Sequence, residues 1–272
     1  MQYSFQSIYL DSPLVRGRCF DIFESAEITC DTALFIVHGG GWRTGSRETF
    51  HAIMEAFNER GILCASTDYR LNVPSALEQL SDIRTSYDRF ITWLKENRHS
   101  LKVCVYGESA GAHLASLLLC AKPGECGENV SLKNLWVPPV KGVLQATPAE
   151  FTPWEDIFPH IWTNMQNIAG VPYEKEPERY EKLSLRNYIR KDNPLLFFAE
   201  AQNEHVFPSE KNYETVLQHR SWGIPSQWKR YRNVEHGFFY ELKRWQQKEM
   251  FEDMVSFLRT GEVLPSVKNE VR

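Results

Sequence analysis

Residues 105–115 read VYGESAGAHLA, and they place Ser109 between two glycines directly after an apolar run. The residues before this serine have the composition of a buried strand, and those after it have the spacing of a helix. Glycine on both sides of one residue indicates a backbone that bends sharply and tolerates little side-chain bulk. The pattern G-x-S-x-G therefore predicts a tight strand-to-helix turn that exposes Ser109 at the end of the strand. Such a turn suits a nucleophile, and a purely structural turn is the alternative.

A second glycine-rich stretch, HGGGW at residues 38–42, follows the apolar run Ala33–Val37. Three consecutive glycines are unfavourable unless the backbone approaches another group closely or adopts positive φ angles. Their amides suit the stabilisation of a negative charge that develops on a carbonyl oxygen. A flexible turn and a phosphate-binding loop are the alternatives, but neither G-x-x-x-x-G-K-[ST] nor G-x-G-x-x-G occurs here. The two glycine motifs together favour acyl-transfer chemistry.

Strand-like and helix-like segments alternate along most of the chain. Apolar or alternating runs predict strands over residues 3–10, 15–23, 33–37, 61–69, 101–107, 140–146, 194–201 and 227–232. Helical spacing predicts helices over residues 48–60, 73–97, 109–121, 208–221 and 243–259, with Pro74 and Ser75 at the start of the second. Repeated strand–helix units predict an α/β fold, a mostly parallel sheet with helices on both faces. We expect one domain over residues 1–272, in which residues 147–192 form a small, cap-like helical insertion over the carboxyl edge of the sheet.

The composition excludes several classes of protein. The 272 residues are 42% apolar and 24% charged, as in ordinary globular proteins, and the net charge of −4 argues against a nucleic-acid partner. No segment approaches the roughly 20 apolar residues that cross a bilayer, and the first residues lack a signal-peptide pattern. The six scattered cysteines form no CxxC pair, so we expect reduced thiols, no metal site and a cytoplasmic location. The 13% aromatic content is compatible with a homodimer interface.

Four motifs, HGGGW, TDYRL (67–71), GESAGAHLA (107–115) and EHGF (235–238), follow one another in a familiar order. In this order and at these separations they resemble the α/β-hydrolase fold over about residues 33–260. More narrowly, the chain resembles the esterases grouped with hormone-sensitive lipase and the related carbohydrate-ester and feruloyl-ester hydrolases. The resemblance implies that Ser109 is the nucleophile and that the amides of Gly40, Gly41 and Ala110 form an oxyanion hole. It implies no cofactor.

The remaining members of a catalytic triad follow from the same resemblance, in the order serine, acid, histidine. His236 comes after the last predicted strand and before a glycine, where the family places its general base. The family's acid stands four residues before a proline, a position that Glu204 occupies relative to Pro208. Glu200 is the rival, although it lies within the predicted strand, and Asp192 precedes that strand. The expected triad is Ser109, His236 and Glu204.

The expected activity is hydrolysis of a small-molecule carboxylic ester through an acyl-enzyme. Only about 37 residues precede HGGGW, so we expect no large amino-terminal cap and a preference for short, acetyl-like acyl groups. Candidate substrate-binding residues are Trp42, Glu108, Trp154 and Phe207. We expect structural roles for His113, Asp68 and Arg70.

Two other functions stay open from the sequence. Arylformamidases resemble this pattern, with an HGG-x-W loop and the same triad, so an amidase is the nearer alternative. The second is a non-catalytic protein that binds a small molecule on a hydrolase scaffold, as the plant gibberellin receptors do. Such proteins usually lose a triad residue, whereas Ser109 and His236 are both present here.

Overall fold

The computed structural model of the chain describes residues 3–11, 17–71, 73 and 75–272. Within these residues nine strands form one sheet, in the spatial order β1-β2-β4-β3-β5-β6-β7-β8-β9. The strands are β1 (Tyr3–Tyr9), β2 (Cys19–Ser25), β3 (Thr32–Val37), β4 (Cys64–Thr67), β5 (Lys102–Glu108), β6 (Lys141–Gln145), β7 (Leu195–Asn203), β8 (Gln227–Glu235) and β9 (Glu270–Val271).

The six central strands, from β4 to β8 in the spatial order, are parallel. The β1 and β2 strands at one end and β9 at the other are antiparallel to their neighbours. Parallel pairing places the carboxyl ends of the central strands at one edge of the sheet. The loops that follow β3, β5, β7 and β8 therefore meet at that edge.

Helices cover both faces of the sheet, as the alternation of strand and helix predicts. Their bounds are α1 (His51–Glu59), α2 (Ala76–Glu96), α3 (Ala110–Cys120), α4 (Pro159–Ala169), α5 (Pro177–Lys182), α6 (Ser209–Ser221) and α7 (Trp245–Thr260), with 3-10 turns at Arg47–Phe50 and Leu185–Tyr188. The α2, α3 and α6 helices pack on one face, and α1 and α7 pack on the other. In β3, Phe35 belongs to the first apolar cluster whereas Leu34 and Ile36 belong to the second, because successive strand residues point to opposite faces.

The predicted elements agree with the structure in type and differ from it mainly at their ends. The β4 strand is shorter than residues 61–69, and β7 and β8 extend to Asn203 and Glu235. The β9 strand has only two residues, too few to give a pattern in the sequence. Ser75 caps α2, because its hydroxyl accepts a hydrogen bond from the Leu77 amide at 3.1 Å. Pro74 and residues 15–16 of the predicted second strand lie outside the described residues.

The segment between β6 and β7 contains the helices α4 and α5. Met165, Tyr180 and Leu185 anchor it in the apolar cluster on the α3 face of the sheet. Trp162 and Tyr173 pack against Tyr180, with ring centroids 5.6 and 5.1 Å from it. Across the described ranges, no helix has the length and apolar composition needed to span a membrane.

Candidate active site

Ser109 stands at the turn between β5 and α3 with a φ of +53°, a strained conformation for a residue with a β-carbon. Close packing explains both flanking glycines. A β-carbon on Gly107 would lie 2.5 Å from the Gly111 carbonyl oxygen, and one on Gly111 would lie 2.3 Å from the carbonyl oxygens of Val37 and His38. The turn therefore holds the start of α3 directly against the end of β3, beside the HGGGW loop.

Three side chains from the ends of three strands form a continuous hydrogen-bonded chain. His236 follows β8, and its Nε2 lies 2.8 Å from Oγ of Ser109. Its Nδ1 lies 2.9 Å from both carboxylate oxygens of Glu204, which follows β7. The Glu204 carboxylate also accepts a hydrogen bond from the amide of Val206 at 2.8 Å, which fixes the orientation of the carboxylate. This is the geometry in which a histidine takes a serine proton and a carboxylate stabilises the resulting imidazolium.

The charges around His236 set its protonation. Burial alone would lower its pKa, but the hydrogen bond and charge of Glu204, together with the charge of Glu108, raise the pKa overall. Burial would likewise raise the pKa of Glu204, but the hydrogen bond and charge of His236 and the amides of Val206 and Phe207 lower it overall. Glu204 is therefore an anion, and it stabilises the protonated form of His236.

Glu200, the rival acid of the sequence analysis, points elsewhere. Its side chain is fully buried within β7, and Oε1 accepts a 2.7 Å hydrogen bond from Nδ2 of Asn212 on α6. Burial and the neighbouring charge of Glu204 raise the pKa of Glu200 well above its ordinary value. The structure thus brings Glu204, and not Glu200, to the histidine.

The loop after β3 presents backbone amides beside Ser109. Gly40 and Gly41 have φ angles of +108° and +58°, which turn their amides out of the strand direction. The carbonyl of Gly40 accepts hydrogen bonds from the amide and the hydroxyl of Thr44, at 3.0 and 2.9 Å. In the part of the chain that the structure describes, the amides of Gly40, Gly41 and Ala110 donate to no other residue. Three donors are thus free to bind an oxyanion.

The side chain of Glu108, the residue before Ser109, lies between the loop after β3 and the loop after β8. A β-carbon on Gly39 would lie 1.9 Å from its Oε2, and one on Gly237 would lie 2.9 Å from its Oε1. Oε1 also lies 4.0 Å from Nε2 of His236. Burial raises the pKa of Glu108, the charge of His236 opposes this shift, and the charge of Glu204 adds to it.

Two of the aromatic residues expected to bind substrate lie in line with the triad. The ring of Phe207 is 5.7 Å from that of His236, and the partly exposed indole of Trp154 is 6.0 Å from Phe207. Trp42 is placed differently. It is 2% exposed and packs beneath the glycine loop against Phe151, at 5.5 Å between ring centroids. Burial of this large apolar indole is favourable, and a buried indole does not line the candidate substrate pocket.

Thr44 and Tyr69, for which the sequence predicts no role, hold the glycine loop. Thr44 supports Gly40 as described above, and the hydroxyl of Tyr69 donates to the His38 carbonyl at 3.0 Å. Tyr69 belongs to the TDYRL motif, whose place in the resemblance was the available signal. In the same motif, Asp68 accepts a 2.7 Å hydrogen bond from the Arg47 amide and Arg70 pairs with Asp82 at 2.8 Å. Both contacts join loops to neighbouring elements.

Comparison with known proteins places the chain among hydrolases. The BD-FAE family model matches residues 20–217. The kynurenine formamidase of Drosophila melanogaster is 34% identical over 103 residues, which cover 36% of this chain and 33% of that protein. The chain thus aligns with about a third of the length of this relative.

Solved structures are similar over nearly the whole chain. Esterase B from Lactobacillus rhamnosis superposes with a TM-score of 0.76 at 17% identity, over 94% of this chain and 85% of that one. A thermophilic esterase from Thermogutta terrifontis, solved with propionate bound, has a TM-score of 0.71 at 19% identity over 96% of both chains. These similarities confirm the predicted α/β-hydrolase fold.

Proposed function

The chain belongs to the BD-FAE family of esterase-like α/β-hydrolases, and from this premise we propose that it is a serine hydrolase that cleaves esters of small acyl groups. One observation carries the proposal. Ser109, His236 and Glu204 form a hydrogen-bonded chain beside three amides that have no other acceptor among the described residues. Nucleophile, base, orienting carboxylate and oxyanion donors are the complete set that acyl transfer requires.

The first half of the reaction forms an acyl-enzyme. Oγ of Ser109 attacks the ester carbonyl carbon while Nε2 of His236 takes the hydroxyl proton. The carbonyl oxygen becomes an oxyanion and accepts hydrogen bonds from Gly40, Gly41 and Ala110. The imidazolium then donates its proton to the departing alcohol oxygen as the carbon–oxygen bond breaks. Glu204 keeps the imidazole in the tautomer that this transfer requires.

The second half of the reaction regenerates the serine. Water takes the place of the alcohol, and His236 accepts its proton as the hydroxide attacks the acyl carbon. The same amides stabilise the second oxyanion, and the proton returns to Oγ of Ser109 as the carboxylic acid leaves. No metal or cofactor enters either half.

Two features support a small acyl group. Phe207 lies beside the imidazole and Trp154 lies beside Phe207, so aromatic rings restrict the space around the acyl carbon. A structural relative has been solved with propionate, a three-carbon carboxylate, bound to it. We propose that Trp154, Phe207 and Glu108 contact the substrate.

The similarity to kynurenine formamidase favours a formamide as the second candidate substrate. The same residues suit this reaction, because a formyl group is the smallest acyl group and the leaving amine also takes its proton from His236. The two activities differ in the leaving group and share every catalytic residue.

The test is hydrolysis of p-nitrophenyl esters from acetyl to decanoyl, and of formanilide, by the wild-type protein and Ser109→Ala. Turnover that falls steeply beyond butyryl and disappears in Ser109→Ala supports a short-acyl esterase. Faster turnover of formanilide than of p-nitrophenyl acetate would make the protein an amidase. Equal background rates in both proteins, without labelling of Ser109 by a fluorophosphonate, would refute both and favour a binding protein.

A further inference from the structure

His113 lies on α3, four residues after the nucleophile, and its side chain is fully buried. Both ring nitrogens have partners from other parts of the chain. Nδ1 lies 3.2 Å from the indole Nε1 of Trp42, and Nε2 lies 2.7 Å from the carbonyl oxygen of Leu183. The imidazole thus joins the glycine loop to the insertion between β6 and β7.

The chemistry of the two partners fixes the state of the imidazole. An indole nitrogen only donates and a carbonyl oxygen only accepts, so Nδ1 of His113 must be the acceptor and Nε2 must carry the proton. Only the neutral ring satisfies both hydrogen bonds. Burial lowers the pKa of His113 to about 4, which keeps the ring neutral at physiological pH. Phe151 stacks on it at 4.5 Å and fixes the plane of the ring.

Trp42 is the third consecutive residue of the glycine loop with a positive φ, at +62° after Gly40 and Gly41. A bulky residue adopts this conformation only when its surroundings hold it there. Trp42 is held at two points. His113 accepts its indole proton, and Nε2 of Gln79 donates to its carbonyl at 2.8 Å. The hydrogen bond from Gln79 to the Trp42 carbonyl fixes the backbone, and the hydrogen bond from the indole to His113 fixes the side chain beneath the loop.

We propose that His113 is a positioning residue for the oxyanion hole: by holding the Trp42 indole against the insertion, it keeps the amides of Gly40 and Gly41 aimed at the oxyanion. This inference rests on the proposed hydrolase function. It goes beyond the structural role expected for His113 from the sequence, because His113 contacts Trp42, which follows the oxyanion donor Gly41 in sequence. Transition-state stabilisation is sensitive to donor placement, whereas ground-state binding is much less so.

The experiment compares Trp42→Phe, His113→Phe and the double variant with the wild-type protein. Trp42→Phe removes the indole donor and keeps an aromatic ring, so it also serves if His113→Phe fails to fold. We expect kcat on p-nitrophenyl acetate to fall about tenfold in each single variant, with KM changed less than about threefold. The rate at which a fluorophosphonate labels Ser109 should fall by the same factor. The kcat of the double variant should be little lower than that of either single variant, because both substitutions remove the same hydrogen bond between Trp42 and His113.

His219 provides a matched control. It lies on α6, away from the glycine loop, and it is also fully buried, which lowers its pKa to about 4. Its Nδ1 lies 2.8 Å from Oγ of Ser226. His219→Phe should unfold at a lower urea concentration than the wild type, and a fluorophosphonate should label its Ser109 at the wild-type rate. Folded His113 and Trp42 variants that label Ser109 as fast as the wild type would overturn this inference and leave the proposed function intact. A wild-type protein that neither labels nor hydrolyses would overturn both.

Discussion

The carboxylate of Glu108 occupies the space where a β-carbon of Gly39 would lie, because that carbon would be 1.9 Å from Oε2. It would also be 2.8 Å from the backbone oxygen of Glu108, so a side-chain rotation alone cannot relieve the clash. The first glycine of the loop is therefore required by packing against the residue that precedes the nucleophile.

Gly39→Ala should move the glycine loop away from Ser109 and lower kcat/KM at least about 100-fold, since each lost oxyanion donor costs that much. Gly223→Ala is the control, because a β-carbon there meets no atom within 4 Å and its φ of +80° adds only backbone strain. The control should lose about 1 kcal/mol of unfolding free energy and no activity. Wild-type kcat/KM in Gly39→Ala would contradict the packing argument.

The pH profile of kcat/KM should show an acid limb above pH 6.5, the ordinary pKa of histidine. His236 acts as a base only when it is neutral, and Glu204 and Glu108 raise its pKa, so activity is lost as the pH falls through the raised value. Glu108→Gln keeps the shape of the side chain and removes its charge. The acid limb should then move to lower pH, and an unmoved limb would show that the Glu108 carboxyl carries no charge in the active enzyme.

Glu204→Gln should lower kcat about 1,000-fold or more, because an amide nitrogen facing Nδ1 favours the wrong tautomer of His236. Glu200→Gln is nearly isosteric, and its amide oxygen can still accept the 2.7 Å hydrogen bond from Asn212. It should therefore keep kcat within about threefold of the wild type. Steady-state kinetics of both variants test the choice of acid. A larger loss in Glu200→Gln would reverse the assignment.

A buried ion pair supports α3 from its far end. Arg84 and Glu128 are both fully buried with 2.6 Å between Nε and Oε1, and Arg84 also donates to the carbonyls of Leu117 and Ala121 at the end of α3. Glu128→Gln should lower the free energy of unfolding by about 3 kcal/mol, because it leaves a buried guanidinium without its counter-charge.

Urea denaturation measures that loss, and Glu176→Gln is the control because it removes the exposed partner of Arg179. The control should lower the free energy of unfolding by less than about 1 kcal/mol. Both variants should keep the KM of the wild type for p-nitrophenyl acetate. Equal stability of the two variants would show that the Arg84–Glu128 pair contributes no more than a surface pair.

Local patterns predicted the parts of the site that depend on local backbone geometry. The glycines around Ser109 and in HGGGW are visible in sequence because the turns tolerate no β-carbon, and β5 and α3 follow from their apolar spacing. Contacts between distant segments carry no such signal. The sequence does not reveal that Glu108 touches Gly39 and Gly237.

The contact between His113 and the insertion could not be predicted from local sequence either. His113 contacts the backbone oxygen of Leu183, an atom that every residue type possesses. The identity of residue 183 therefore carries no signal from which the contact could be predicted. Trp42 is one of the four residues that the sequence analysis names as candidates for substrate binding. The positive φ of Trp42 and the burial of its indole in the core become apparent only from the tertiary structure.

Ser109 and His236 are 127 residues apart, and they meet only because β5 and β8 lie in one sheet with β6 and β7 between them. Contacts of such long sequence separation form slowly, since the loop-closure entropy must be overcome before the strands can pair. His236 follows β8, so it reaches Ser109 only when β8 has joined β7 and the strands from β5 to β8 are assembled. The rate at which hydrolytic activity is regained during refolding should therefore report the assembly of the parallel strands from β5 to β8, a late step of folding.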